Sequence, residues 1–428
     1  MSVHLEAYAP QDAMALWWLG QTQGRPLLVG QLHLAAGRRK VALQYDPAWL
    51  ARGFALSPDL PLQPGAFLPA ERNTAAGAVD DARPDRWGEQ LIRALYRPGR
   101  LSVLELLYFG APSRFGALGV CLGAGRYRPG GIASAGVRSC SAAALAALQR
   151  ATAAVRAGEP LSPPQARLLA PGASFGGAQP KGLLAMEGAQ WLVKFYPDQV
   201  IDTALVEHAT LCLAARCGIE VAFTRALPLP GGAHALAARR FDRLGAQRLH
   251  VLSGATVLRA CSAPPGYPAL AQSLRRLAPA RAIRAQQREV FCRMVFNILV
   301  DNTDDHEKNH ALVRGAGGFY ALAPAYDVLP SGQALGCQQL QVGRQGADAC
   351  LENALTEVHA FGLTKDAASQ LIRGIVAEVN GWQAHFAALG VKARDLERLA
   401  ACIDGAHLKA QRAAFSQRIS YFAGLRSV

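Results

Sequence analysis

Residues 281–300 place apolar or largely aliphatic side chains at 283, 287, 290, 294 and 298, the spacing of one helix face. The ten residues that come next, Asp301-Asn302-Thr303-Asp304-Asp305-His306-Glu307-Lys308-Asn309-His310, are all polar. A core helix that ends in such a stretch must hold it at the edge of an apolar body, where carboxylates, imidazoles and carboxamides can meet a ligand. That junction constrains the fold more than anything else in the chain.

Around it the pattern falls into two stretches. From Leu16 to about Leu122, short apolar runs alternate with Pro- and Gly-rich turns, which predicts a small sheet with a helix or two, among them 85–96. A helix is expected over 141–156, followed by a break at Glu159-Pro160-Leu161-Ser162-Pro163-Pro164, because stacked prolines cannot continue a helix. Beyond it, strands are expected over 181–186, 190–195 and 234–241, and a helix over 203–217 closed by Gly218. After Ser253 the pattern is mostly helical. Strands first and helices later predict an α+β, bilobal body rather than alternating βαβ units. The expected domains are 1–160 and 161–428, the second with a β-rich small lobe over about 165–245 and a helical lobe over about 246–415.

At 428 residues, with 51% hydrophobic and 18% charged, the chain has material for a sizeable core and is not disordered throughout. Val290–Val300, the best apolar run, is interrupted by Arg293 and is shorter than the ~18 residues a membrane span needs. With no basic segment leading an apolar one at the start, a cytoplasmic location is expected, without a membrane partner. The net charge, 45 − 31 = +14, favours polyanionic neighbours such as nucleotide phosphates or nucleic acid. Nine scattered cysteines with no Cys-x-x-Cys suggest neither a zinc site nor a disulfide framework. Only seven of the 45 basic residues are lysines, so a lysine within a site hints that a compact ammonium is required there.

The polar decapeptide supports two chemistries. As a metal site, Asp305, His306 and His310 would be the ligands, although Asn302-Thr303-Asp304-Asp305 reads as a loop rather than a helix. As a phosphoryl-transfer loop, Asp304 and Asn309 have the five-residue spacing that separates a base for the substrate hydroxyl from a magnesium-holding asparagine. Lys308 would bring positive charge to the γ-phosphate. Asp327, after the run Phe319–Tyr326, supplies a second magnesium ligand. Upstream, the Gly-rich segment ending at Lys181 suits close approach to phosphates, Lys194 lies on the next strand, and Glu207 on the following helix could pair with it.

The set Gly176-Gly177-Ala178-Gln179-Pro180-Lys181, Trp191-Leu192-Val193-Lys194, Arg240-Phe241-Asp242-Arg243, Asn302–Asn309 and Ala323-Pro324-Ala325-Tyr326-Asp327 resembles the HipA family of serine/threonine kinases, toxins of type II toxin–antitoxin pairs. Arg83-Pro84-Asp85-Arg86-Trp87-Gly88 is similar to that family's N-terminal subdomain, so the resemblance spans nearly the whole chain. It implies a protein-kinase-like fold using ATP and magnesium, with Asp304 as catalytic base and Asn309 and Asp327 as magnesium ligands. His306 and Lys308 would contact the nucleotide, with Glu307 and Tyr326 in the same site. Gly176, Gly177, Ala178, Gln179, Pro180 and Lys181 would form the phosphate loop. Lys194 would bind phosphate, Glu207 would belong to the same site, and Arg239, Arg240 and Phe241 would form the hinge against the adenine. Ser174 falls where family members autophosphorylate, which ejects the loop and switches the enzyme off. The implied partners are a protein substrate, such as an aminoacyl-tRNA synthetase or another translation factor, and a small DNA-binding antitoxin. No helix-turn-helix is evident in the chain, so DNA would be reached only through that antitoxin. Pro180 directly before Lys181, and the acids Asp305 and Glu307, depart from a clean match. Two other readings stay open: a degraded kinase that only binds a partner or DNA, and a small-molecule phosphotransferase. Arg281, Arg284 and Arg288, on one helix face within the densest basic run, are candidates for steering an acidic partner or tRNA.

Overall fold

The computed structural model describes residues 8–21, 25–110, 113–130, 137–172 and 177–423, with side chains to 416. Packing divides the chain into two compact units, 1–197 with 227–252, and 198–226 with 253–428.

The first unit opens with strands β1 (Ala13–Trp18), β2 (Leu27–Ala35) and β3 (Lys40–Tyr45), paired antiparallel, since the connections at 19–26 and 36–39 are too short for a parallel crossover. Short helix α1 (Pro47–Arg52) is next, capped by Asp46 and with Pro47 in its first turn. Two short strands, β4 (Ala66–Phe67) and β5 (Thr74–Ala75), precede helices α2 (Arg86–Tyr96) and α3 (Val103–Phe109) and strand β6 (Leu118–Cys121). The sheet runs β4-β3-β2-β1-β6, with β5 alongside β3. Ser102 and Glu105 close the start of α3 with a capping box.

Helix α4 (Ala142–Ala157) starts on the Ser141 cap and stops at Gly158, whose φ of +71° only glycine adopts without strain. The expected break is present there. The stacked prolines, however, open a new helix, α5 (Pro163–Leu169), where their missing N–H groups cost nothing. A second sheet then forms in the order β7-β8-β10-β9 from β7 (Lys181–Met186), β8 (Ala189–Lys194), β9 (Thr224–Pro228) and β10 (His234–Arg239). Trp87, Leu91 and Ile92 of α2, Leu145 and Leu148 of α4, Leu169 of α5, and Leu184, Trp191 and Val193 of the sheet make one apolar cluster. Chain on both sides of residue 160 therefore shares a core.

The second unit is mostly helical. Helix α6 (Thr203–Arg216), capped by Asp202, ends where Cys217 and Gly218 turn the chain, with Gly218 at φ +79°. Helices α7 (Gly254–Ala260), α8 (Tyr267–Leu277) and α9 (Ile283–Leu299) lead to a hairpin of β11 (Ala311–Arg314) and β12 (Tyr320–Leu322). Helices α10 (Leu351–Ala354), α11 (Lys365–Val379), α12 (Trp382–Ala388), α13 (Ala393–Ile403) and α14 (Ala406–Ala423) complete it. The central helix begins two residues later than its pattern predicts, because 280–282 form a tighter 3-10 turn. Every residue from Val290 to Val300 is buried. Arg293 survives there by pairing with Glu289 at 2.9 Å and donating to the carbonyl of Ala323 at 2.9 Å.

Candidate active site

Within the first unit, Lys181 and Lys194 are directly opposite each other across the β7–β8 ladder, so their side chains leave the same sheet face. Both are buried, at 4% and 8% exposure. Two ammonium groups so placed raise the local potential strongly, which favours a polyanion such as a triphosphate. The end of the Gly-rich segment is fixed from a distant part of the chain. The Gly177 N–H donates to Asp85 at 3.3 Å, its carbonyl accepts from the Trp87 N–H at 3.3 Å, and the Trp87 indole donates to the Lys181 carbonyl at 2.9 Å. Gly177 has φ +88°, and a Cβ there would lie 2.7 Å from Nζ of Lys181. The left-handed backbone is what calls for glycine there, since the ammonium is the end of a flexible side chain and can shift. Ala178 and Gln179 are accessible and Pro180 is buried, its carbonyl accepting from the Phe195 N–H at 2.9 Å. Ser174 and Gly176 lie outside the described residues.

At the end of β10, Arg239 is exposed and Phe241 is half-buried against Phe115, with ring centroids 5.6 Å apart. Arg240, expected at the adenine hinge, has a guanidinium committed inward: it forks onto Asp242 at 2.9 and 2.7 Å and donates to the carbonyls of Ser113 and Arg114. Its side chain is a structural tie and its N–H donates to the Gln190 carbonyl at 3.0 Å.

Within the second unit the polar decapeptide is a loop, and its two adjacent aspartates behave oppositely. Asp305 is 2% exposed and accepts from the Tyr267 hydroxyl at 2.5 Å and from His310 at 2.8 Å. Burial alone would raise its pKa, but His310 and these hydrogen bonds outweigh burial and hold it below the usual carboxylate range. Burial and the neighbouring Asp305 push the Tyr267 phenol well above its ordinary value. Asn297 donates to that same hydroxyl at 3.2 Å and accepts from Asn302 at 3.0 Å, so α8, α9 and the loop are knitted together. Asp304, by contrast, is exposed, and its Oδ1 accepts from the Gln339 amide at 2.6 Å.

The other expected site residues fall around this pair. Asn309, His310 and Tyr326 line one small pocket with Arg293, Asn297 and Asp305. The Tyr326 hydroxyl donates to the Lys308 carbonyl at 2.8 Å, tying the segment before Asp327 to the loop. Asp327 itself is half-buried in a left-handed turn, φ +59°, and Asp301 is in another at +57°. Such φ values favour Gly, Asn or Asp. The carboxamide of Asn309 and the carboxylate of Asp327 are hard oxygen donors of the kind magnesium takes, so the residues present fit that ion. The His306 ring accepts from the Lys308 N–H at 3.2 Å and caps the short turn Glu307–Asn309, a positional role that spacing did not reveal. The metal alternative does not assemble in this form, because Asp305 and His310 meet as a buried pair while His306 serves the turn. Glu207, buried on α6, also belongs to this unit.

Three contributors went unseen in the sequence: Tyr267, Asn297 and Gln339. Asn297 was the readable one, a carboxamide inside an otherwise apolar helix. Gln339 sits in a segment whose backbone is pinned on both sides, by Gln338 N–H to Ala347 O at 2.8 Å and Gln341 N–H to Pro265 O at 3.0 Å.

An α+β body of these elements, with a β-rich N-terminal stretch and an Asp-x-x-x-x-Asn loop after a buried helix, is a protein-kinase-like fold. The model of the HipA N-terminal domain matches residues 24–121, and that of the HipA-like C-terminal domain matches 173–382. The chain belongs to the HipA family. It is similar in structure to HipA from the Shewanella oneidensis MR-1 toxin–antitoxin complex with HipB and operator DNA, at TM-score 0.63 and 18% identity over 97% of this chain and 99% of that one. The Helicobacter pylori proinflammatory kinase CtkA also matches, at TM-score 0.45 and 14% identity over 57% of this chain and 93% of that one. No curated protein matches significantly.

Proposed function

We propose that the chain is an ATP- and magnesium-dependent serine/threonine protein kinase acting as a HipA-like toxin. The observation that carries this is the contrast between the loop's two aspartates: Asp305 is sealed into the core, while Asp304 stands exposed with one oxygen held by Gln339. A general base must come within about 3 Å of the proton it takes, and the exposure of Asp304 supports that role toward a hydroxyl on a protein surface. Its free Oδ2 accepts that proton as the substrate oxygen bonds to the γ-phosphorus and the bridging bond to ADP breaks. Lys181 and Lys194 hold the phosphates and offset their charge. Asn309 and Asp327 would hold magnesium, which when bound neutralises phosphate oxygens. Gly177 to Lys181 form the described part of the phosphate loop, with Lys308 and the Arg239–Phe241 backbone completing the nucleotide contacts.

The substrate in this reading is a translation component such as an aminoacyl-tRNA synthetase. Phosphorylation of Ser174 would put about −1.5 to −2 charges beside the phosphate loop and repel the nucleotide, which makes it the self-inhibitory site. A small DNA-binding antitoxin is the partner we assign, since the Shewanella HipA was solved with HipB and DNA. No described helix is long and apolar enough to cross a membrane, and we place the protein in the cytoplasm. The test is incubation with γ-labelled ATP and a cell lysate, with Asp304→Ala as control. Label should enter serine of one protein band and of the chain itself. Label confined to small molecules would make it a phosphotransferase of metabolites, and no transfer at all would make it a binding module.

A further inference from the structure

The first unit buries more positive charge than its described residues neutralise. Arg114, Arg240, Arg243 and Arg248 gather where the loop 113–116 meets the turn after β10, with Asp242 as their carboxylate. Asp242 is saturated: Arg240 takes both its oxygens, and Arg243 and the Gly116 N–H each add a bond, at 2.7 and 2.8 Å. The other two arginines are left over. Nε and Nη1 of Arg114 and Nη1 of Arg248 are shut off from water with no hydrogen-bond partner, and so are the Tyr127 hydroxyl and the Trp17 indole N–H.

These five donors belong to one locality. Trp17 and Tyr127 have ring centroids 6.1 Å apart, and Tyr127 lies over Gly119, where a Cβ would come within 2.8 Å of its ring. Arg248 is directly opposite Arg243 in the short ladder that follows β10, the 113–116 loop lies against the chain at 249–251, and both Arg114 and Arg248 feel the phenol. Burial lowers Arg114 only to about 10, so it stays charged at neutral pH, and burial raises the Tyr127 phenol, which therefore donates rather than supplying a negative charge. Buried charges persist when they are paired and hydrogen-bonded, and here these guanidinium nitrogens have no described hydrogen-bond partner, Asp242 reaching Arg248 only through space. Arg114 is 1% exposed, and its backbone is held in place by Arg240 and Arg243, which donate to its carbonyl at 3.1 and 2.7 Å.

We propose that Arg114, Arg248, Tyr127 and Trp17 form a binding site for a small inorganic anion. The set is dominated by donors and positive charge, with the Tyr127 oxygen its one acceptor, which favours an anion: chloride or a tetrahedral oxyanion such as phosphate. The site stands apart from the phosphoryl-transfer reading. Occupancy braces the 113–116 loop and, through the Arg114 carbonyl, the Arg240–Arg243 turn.

The experiment is thermal unfolding of the full chain in gluconate, chloride and phosphate at equal ionic strength, gluconate being the bulky, weakly coordinating reference anion. A saturable rise in Tm is expected with chloride or phosphate over gluconate, and whichever anion saturates at lower concentration is the ligand. Arg248→Met, a half-buried position, should abolish the rise, and Arg114→Met should do the same; if Arg114→Met does not fold, Arg248→Met decides alone. Lys181→Met should retain the rise. Equal Tm in all three salts, a rise that is linear and never saturates as exclusion from the surface gives, or a rise kept in Arg248→Met would overturn the proposal. So would a rise lost only in Lys181→Met, which would place the anion at the phosphate loop instead.

Discussion

Asp304 and Asp305 are chemically identical neighbours, and burial alone assigns them different work. Removing the exposed one should leave folding intact and lower phosphoryl transfer roughly 10²–10⁴-fold, the usual cost of losing a positioned base. Single-turnover transfer together with a melting curve checks both halves. Gln339 holds Oδ1 of Asp304, and in the proposed mechanism it would act through that aspartate. Gln339→Ala should therefore lower kcat with KM for ATP unchanged, while Gln339→Glu, which sets a second negative charge against the base, should raise the pH at which the acid limb of the rate profile turns. Asp305 carries a pH signature of its own. Its pKa is depressed in the fold, so its contribution is present above the unfolded value near 3.8 and is lost as pH falls through the folded one. Asp305→Asn should thus melt lower at pH 7 and lose less on acidification from pH 5 to 3 than the parent. The Asp304–Asn309 spacing was readable because five residues of local chain set it. Gln339 was not, because 35 residues separate it from its partner and only the pinned backbone at 338 and 341 brings it there.

Periodicity located most helices and strands of the core to within a few residues, since each had one apolar face to bury. It failed where tertiary contacts decide an end. The strand expected to reach Phe241 stops at Arg239 because the Arg240 side chain turns inward to Asp242. The prolines read as a stop became a helix start, because position within a turn matters more than residue type. The contact of α7 with the polar loop 301–310 was also invisible. A Cβ on Gly254 would sit 2.5 Å from the Glu307 carbonyl oxygen, in backbone that cannot rotate away. Gly254→Ala should therefore cost about 1–3 kcal/mol, as overpacking does, and should lower turnover because the displaced carbonyl lies beside Lys308. Melting and steady-state rates measured on the same preparation test both effects. Gly315→Ala, with its nearest neighbour at 3.6 Å, is the matched control and should change neither.

Across the whole molecule, the +14 charge was legible at once but its distribution was not. Arg281, Arg284 and Arg288 are all exposed at the start of α9, as their spacing predicted. Reversing the three to glutamate should slow phosphorylation of a protein substrate at low ionic strength, where the screening length exceeds ~10 Å, and leave autophosphorylation unchanged. Equal loss at every salt concentration would indicate a folding defect instead. The division into units was the least legible feature, because it is not a division of the sequence. Residues 198–226 pack with the chain beyond 252, while 227–252 return to the unit that precedes them, so the polypeptide crosses between units at 197, 226 and 252. On the ribosome, that routing imposes an order of events. The β10 strand that completes the Lys181–Lys194 sheet emerges only after α6, and the Arg240–Arg243 turn that locks the 113–116 loop emerges later still. The N-terminal half must wait, incompletely closed, until about residue 252 has left the exit tunnel, so a nascent chain of this design acquires its lysine pair before it acquires Asp304.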